Sequence, residues 1–178
     1  MEVAETTDRR DRLAAWLALQ RAAAVLAEGV GQELEREAGL PLTWYDVLAR
    51  LDGAPEGRLP MHELAEAVLF SKSGLTRLVD RMAEAGLVRR VACTTDRRVT
   101  YAEITPRGRR RLAAATPVLL ASLERRLWRH LSPEELDELR AALLKVLAAS
   151  GRPAEECTPA APAAPADAAA ARPAGAAG

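Results

Sequence analysis

Between residues 71 and 98 the chain gathers side chains suited to holding a polyanion. Ser71, Lys72, Ser73, Thr76 and Arg77 bring small hydroxyl donors and cations into one stretch, and Arg97 and Arg98 stand side by side a little further on. Hydroxyl and guanidinium groups donate to the oxygen acceptors of a phosphate backbone, and the planar fork of arginine matches them two at a time. The two arginines fall between "LVRRVAC" and "VTYAEIT", runs rich in β-branched residues, so "TTDRR" is the expected tip of an antiparallel hairpin. Asp96 can hold Arg98 in shape through a bidentate contact. The remaining counter-charge has to come from a partner.

The net charge of zero over 178 residues hides a segregation. Residues 1–70 carry 7 basic and 13 acidic side chains, whereas residues 71–111 carry 11 and 4. Residues 112–150 balance at 5 each, and the last 28 residues carry 2 and 3. A field of one sign concentrated in 41 residues of an otherwise acidic chain is what a polyanion-binding surface requires. A merely solvated basic face would show the same surplus, so charge alone leaves both readings open.

These side chains need elements to position them. Residues 8–38 read as one long helix with Leu13, Trp16, Leu17, Val25 and Leu34 among many alanines, ended by Gly39 and Pro41. Thr43 is the expected N-cap of a short helix reaching Leu51, with Trp44, Val47, Leu48 and Leu51 at helical spacing. "DGAPEG" breaks the chain, "RLP" suits a brief strand, and residues 61–67 form another short helix with Leu64 and Val68 toward the core. Ser71 then caps a helix over 72–85, in which Leu75, Leu78, Val79 and Met82 form one apolar stripe and Gly86 ends the run. At about 100° per residue, Ser73, Thr76, Arg77, Asp80 and Glu84 lie opposite that stripe, and Lys72 flanks its first turn.

After the hairpin, Thr105 and Pro106 start a helix that Pro117 should kink or divide near residue 113. "SPEE" starts the last helix with a complete capping box, Ser132 with Glu135. Its stripe of Leu136, Leu139, Leu143 and Val146 has the three-four-three spacing of a seam between two helices. From Gly151 onward, 21 of 28 residues are Ala, Pro or Gly, which predicts a disordered tail. The expected organisation is thus a flexible N-terminus over 1–7, a folded unit over 8–150 and a tail over 151–178.

Short helix, turn, amphipathic helix and two-stranded hairpin, in that order, make a winged helix-turn-helix. The fold class is mainly α with a small β-hairpin wing, and long helices flank it. The major groove of a DNA duplex admits one α-helix, and the wing would reach the adjacent minor groove, whose negative potential favours an inserted arginine. The stretch "LPMHELAEAVLFSKSGLTRLVDRMAEAGLVRR", followed by "DRR" and "ITPRGRRRL", resembles the MarR family of bacterial transcriptional regulators over about residues 10–150. The resemblance implies a homodimer joined by the first helix (8–38) and the C-terminal helices (106–150). Each protomer would present a winged helix, about 43–105, to half of a palindromic operator. It also places Ser71, Lys72, Ser73, Thr76 and Arg77 on the recognition-helix contacts and Arg98 on the wing arginine. Val99 stands where the family often has glycine, and "VLF" lacks the glycine common in the helix turn.

The resemblance further implies small aromatic acids or phenols as effectors, bound between the dimer helices and the winged helix. Trp16, Trp44 and Tyr45 suit a core, and could line such a pocket with a cation such as Arg12 beside them. Cys93, near Arg89, Arg90, Arg97 and Arg98, offers a redox switch if its thiol faces them, and a buried strand position otherwise. Cys157 lies far away in the tail, so a disulfide is not expected. No phosphate-cradling glycine loop, CxxC pair or His-Glu metal spacing occurs, and His62 and His130 are isolated; neither an enzyme nor a cofactor is expected. Single apolar runs fall short of the ~20 residues of a membrane span, and "MEVAETTDRRDR" lacks the apolar core of a secretory signal, which predicts a cytoplasmic protein. The sequence therefore predicts a ligand-responsive repressor binding an operator as a dimer. A winged helix that binds another protein, and a thiol-based regulator using Cys93, are the alternatives.

Overall fold

The computed structural model describes residues 2–68, 70–92 and 99–151, apart from the side chains of residues 2–8 and of Lys72. Cys93, Asp96, Arg97, Arg98, Cys157 and the rest of the tail lie outside the described residues. Six helices and three strands follow in the order α1 (Glu2–Ala38), α2 (Leu42–Gly53), β1 (Arg58–Pro60), α3 (Met61–Ala67), α4 (Lys72–Glu84), β2 (Val88–Ala92), β3 (Thr100–Ile104), α5 (Pro106–Arg126) and α6 (Pro133–Ala149). The strands form one antiparallel sheet in the order β1-β3-β2, with Arg58 opposite Glu103 and Val88 opposite Ile104.

A single core lies under this small sheet. Leu48 and Leu51 of α2, Leu64 of α3, Leu75 and Met82 of α4, Ala102 and Ile104 of β3 and Leu112 of α5 are all buried in it. The apolar stripe of α4 is fully used, since Leu75, Leu78, Val79 and Met82 are each no more than 3% exposed. Gly86 adopts a left-handed conformation (φ 71°) just past α4. The Leu87 N–H then reaches back to the Met82 carbonyl (2.9 Å) and the Gly86 N–H to that of Ala83 (2.9 Å), turning the chain straight into β2.

Several local expectations are revised. The first helix begins at Glu2, ahead of the expected residue 8. In α2, Thr43 is no cap: the first turn closes on the Pro41 carbonyl, which accepts from Trp44 N (2.9 Å) and Tyr45 N (3.0 Å), so the helix starts at Leu42. Pro117 does not divide α5, which runs unbroken from Pro106 to Arg126. Proline forfeits one bond, to the carbonyl of Ala113, but both residues face solvent, where water serves that carbonyl. The buried face meanwhile continues from Leu112 and Ala115 to Ser122.

Two faces are left outside the core. α1 is buried only toward its C-terminal end, at Val30 and Leu34, while Leu13, Trp16, Leu17, Leu19 and Val25 are exposed. Trp16, read as a core residue, is 54% exposed. No residue of α6 is buried, although its capping box forms as expected, with Ser132 Oγ accepting from Glu135 N and Glu135 Oε2 accepting from Ser132 N. Over Arg9–Ala38, α1 is long and apolar enough to cross a membrane by length and composition, which the short individual runs conceal because alanines link them. Its last turns nevertheless belong to the protein core, and Glu33 there is buried in an ion-pair cluster with α5.

Candidate nucleic-acid interface

The candidate interface starts from the cap of α4. Ser71 leaves the turn in extended geometry, and its hydroxyl accepts from Gly74 N (3.1 Å) while lying 3.4 Å from Ser73 Oγ. This satisfies one orphan amide of the first turn and fixes where the helix begins. Ser71, Ser73, Thr76 and Arg77 are all exposed, whereas Leu75, Leu78 and Val79, interleaved with them, are buried. Amphipathic spacing alone thus turns the hydroxyls and Arg77 outward together. Arg77 makes no ion pair or hydrogen bond with the other described residues and remains available to an external acceptor. Lys72 is the first residue of the helix.

The cations around it divide into two kinds. Arg89 is held by Glu103 across the β2–β3 pair (2.6 Å), and this contact keeps the Glu103 carboxyl below its ordinary range and raises the guanidinium. Arg109 is paired with Asp52, and Arg111 donates to the Gly39 carbonyl (2.7 Å). Arg90 reaches from β2 to the Asp80 carboxylate of α4 (2.8 Å) and lies 3.4 Å from the Thr76 carbonyl. Half-exposed, this pair is worth little to stability, but it fixes the angle between the helix and the strand that leads into the hairpin. Sequence reasoning had placed Asp80 on the outer face without giving it a partner, and Arg90 carried no signal beyond its charge.

Other expected residues fall elsewhere. Arg12 and Trp16 lie on the exposed part of α1, whereas Trp44 and Tyr45 are half-buried on α2, where the Tyr45 hydroxyl meets Thr116 Oγ1 (3.2 Å). α1 passes α2 at Gly31, beside Leu42, and Trp16 is 15 residues up the helix from there, about 22 Å. Within one chain, then, the four residues do not line a common pocket.

A cluster with no counterpart in the sequence reading ties α1 to α5. Glu33 accepts from Arg125 (2.7 Å) and Arg126 (2.7 Å), and the Arg126 guanidinium lies across Gly29, where a Cβ would displace it. The fully buried Ser122 hydroxyl sits nearby with no hydrogen bond of standard geometry. Ser122, then Arg126 and Arg125, hold the Glu33 carboxyl down to about 2 against the opposing effect of burial. Spacings of about 90 residues leave such a cluster invisible until the helices are packed.

Comparison with known proteins places these features. The sequence profile described as the MarR family matches residues 38–99, which runs from the end of α1 through the hairpin. The chain is similar to the HTH-type transcriptional regulator MhqR of Bacillus subtilis (strain 168), 30% identical over 93 residues, 52% of this chain and 62% of that one. It thus spans less than two thirds of that regulator's length. Among solved structures it is similar to AbsC, a MarR family transcriptional regulator from Streptomyces coelicolor, with a TM-score of 0.72 at 32% identity over 78% of this chain and 93% of that one. Sco3205 from the same organism, a MarR family regulator solved in complex with DNA, gives 0.73 at 29% identity over 82% and 94%. With a winged helix built around a capped, outward-facing α4 and this likeness over nearly the whole of AbsC, the chain belongs to the MarR family of transcriptional regulators.

Proposed function

We propose that the protein is a sequence-specific DNA-binding regulator, a cytoplasmic homodimer that represses from a palindromic operator and is released by a small aromatic acid or phenol. The observation that carries the DNA-binding reading is the outer edge of α4, where Ser71, Ser73, Thr76 and Arg77 face solvent beside a strand pinned to the helix by Arg90. In this reading α4 enters the major groove, and the hairpin with Asp96, Arg97 and Arg98 serves the minor groove. Pairing through α1 and α6 would cover Leu13, Trp16, Leu17 and the seam from Leu136 to Val146, which have no cover in one chain. Such a dimer sets two recognition helices about 34 Å apart, one DNA turn. Pairing would also bring one protomer's Arg12 and Trp16 to the other, the arrangement an effector site with Trp44 and Tyr45 requires. An effector favouring a different spacing withdraws binding energy from DNA, and linkage makes the antagonism reciprocal.

The test is selection of genomic fragments by the purified full-length chain, repeated with candidate aromatic acids present, with the assembly state read by analytical ultracentrifugation. If each protomer neutralises about four phosphates, log affinity falls against log salt with a slope of roughly −7. Arg77→Ala should weaken binding and flatten that slope by about 1 for a phosphate contact, or relax the selected sequence for a base contact. No enrichment of any fragment, together with a flat salt dependence, would favour a winged helix that binds another protein.

A further inference from the structure

Phe70 stands just before the cap of α4. Its N–H is held by the Ala65 carbonyl (3.1 Å), which fixes the turn between α3 and α4, yet 36% of the residue remains exposed. A residue in this position ordinarily finishes its burial on the fourth residue of the helix, here Leu75, in a hydrophobic staple. Leu75 is already only 1% exposed, and the Phe70 ring instead lies across the first turn. Its Cδ1 would be 3.4 Å from a Cβ at Gly74, a position where a side chain would also crowd Ser71 Oγ (3.0 Å). The glycine leaves room for the ring against the helix.

The flank matters. With the buried stripe turned inward, Ser73 and Arg77 point outward, Thr76 and Asp80 lean to the side where Arg90 attaches the wing strand, and Gly74 lies on the other side. The presented surface therefore runs from wing to polar centre to an aromatic edge. We propose that Phe70 is a specificity-determining residue that packs on the C5-methyl group of a thymine at the far edge of each half-site, away from the wing. The major groove offers one apolar group to such a ring, and it is that methyl. This inference rests on the DNA-binding reading above and adds to it the preference at one base pair.

The experiment uses the full-length chain and a duplex recovered by selection from a random pool. Each thymine in turn is replaced by deoxyuridine, which removes the methyl and leaves the pairing edge unchanged. Binding to every duplex is measured with the wild type, Phe70→Ala and Phe70→Leu. The wild type should lose roughly fourfold at one symmetry-related thymine pair, the equivalent of burying one methyl-sized group. Phe70→Ala should bind the methylated duplex as weakly as the wild type binds that deoxyuridine duplex, and should not distinguish the two, while Phe70→Leu retains part of the difference. Indifference of the wild type to deoxyuridine at every position overturns the proposal without any variant needing to fold. So does a loss in Phe70→Ala that is equal for all duplexes with the thymine preference intact, which is what a purely structural role predicts. Failure to select any duplex would instead remove the DNA-binding reading itself, and this inference with it.

Discussion

Gly108, the third residue of α5, has no left-handed backbone to excuse it, so on helix propensity alone alanine there would stabilise the protein by about 1 kcal/mol. The packing reverses that sign. A Cβ at this position would run into the Leu87 carbonyl oxygen and stand 2.9 Å from Ile104 Cγ1 and 3.2 Å from Leu48 Cδ2. The carbonyl cannot swing aside freely, because it accepts from both Thr105 N (3.0 Å) and Thr105 Oγ1 (3.1 Å), the contacts that start α5 against β2. Overpacking costs about 1–3 kcal/mol and a weakened hydrogen bond about 1 more, against a gain of about 1, so Gly108→Ala should lose about 1–3 kcal/mol. Gly31 in α1 supplies the opposite case: a Cβ there meets only Leu42 Cβ at 3.7 Å, ordinary contact, so Gly31→Ala should gain up to about 1 kcal/mol. Urea unfolding followed by circular dichroism, at one fixed protomer concentration because pairing couples to stability, should move the two midpoints in opposite directions. A Gly108→Ala protein that unfolds at or above the wild-type midpoint would refute the reasoning.

Acid should attack the α1–α5 junction in a defined window. The Glu33 carboxyl is held at about 2 when folded and returns toward its ordinary 4.5 when unfolded. Its contribution is therefore complete above about 4.5 and is lost as pH falls toward 2; Glu33→Gln should be less stable at neutral pH and should lose that part of the acid dependence, read from urea midpoints across pH. The Arg90–Asp80 pair should behave differently, since both side chains are partly exposed. Arg90→Ala and Asp80→Ala should each cost under about 1 kcal/mol of stability. Both should reduce affinity for the selected duplex, and the double variant should lose no more than the worse single one, a coupling that a binding cycle measures directly.

The order of elements was legible in the sequence because it depends on local chemistry. Ser71, Thr105 and Ser132 each cap the helix that follows, and Gly39 and Gly86 take left-handed conformations where helices stop. The stripe at 75, 78, 79 and 82 was enough to say which edge of α4 faces out, because helical periodicity fixes the opposite face once the buried one is known. By contrast, Pro117 was misjudged because the cost of one lost hydrogen bond is local, while the packing that keeps α5 whole is not. Trp16 was misjudged for a related reason: hydrophobicity says that a side chain needs cover and not which chain supplies it.

What the tertiary structure alone decided are the pairings between distant segments. Only folding brings Arg90 to Asp80, places Arg125 and Arg126 on Glu33 across more than 90 residues, and spends Arg89 and Arg109 on internal carboxylates while Arg77 keeps its charge for a partner. Charge counted along a chain cannot tell a paired arginine from a free one. Ion pairs form through space at a few ångströms, and sequence spacing carries no information about that distance.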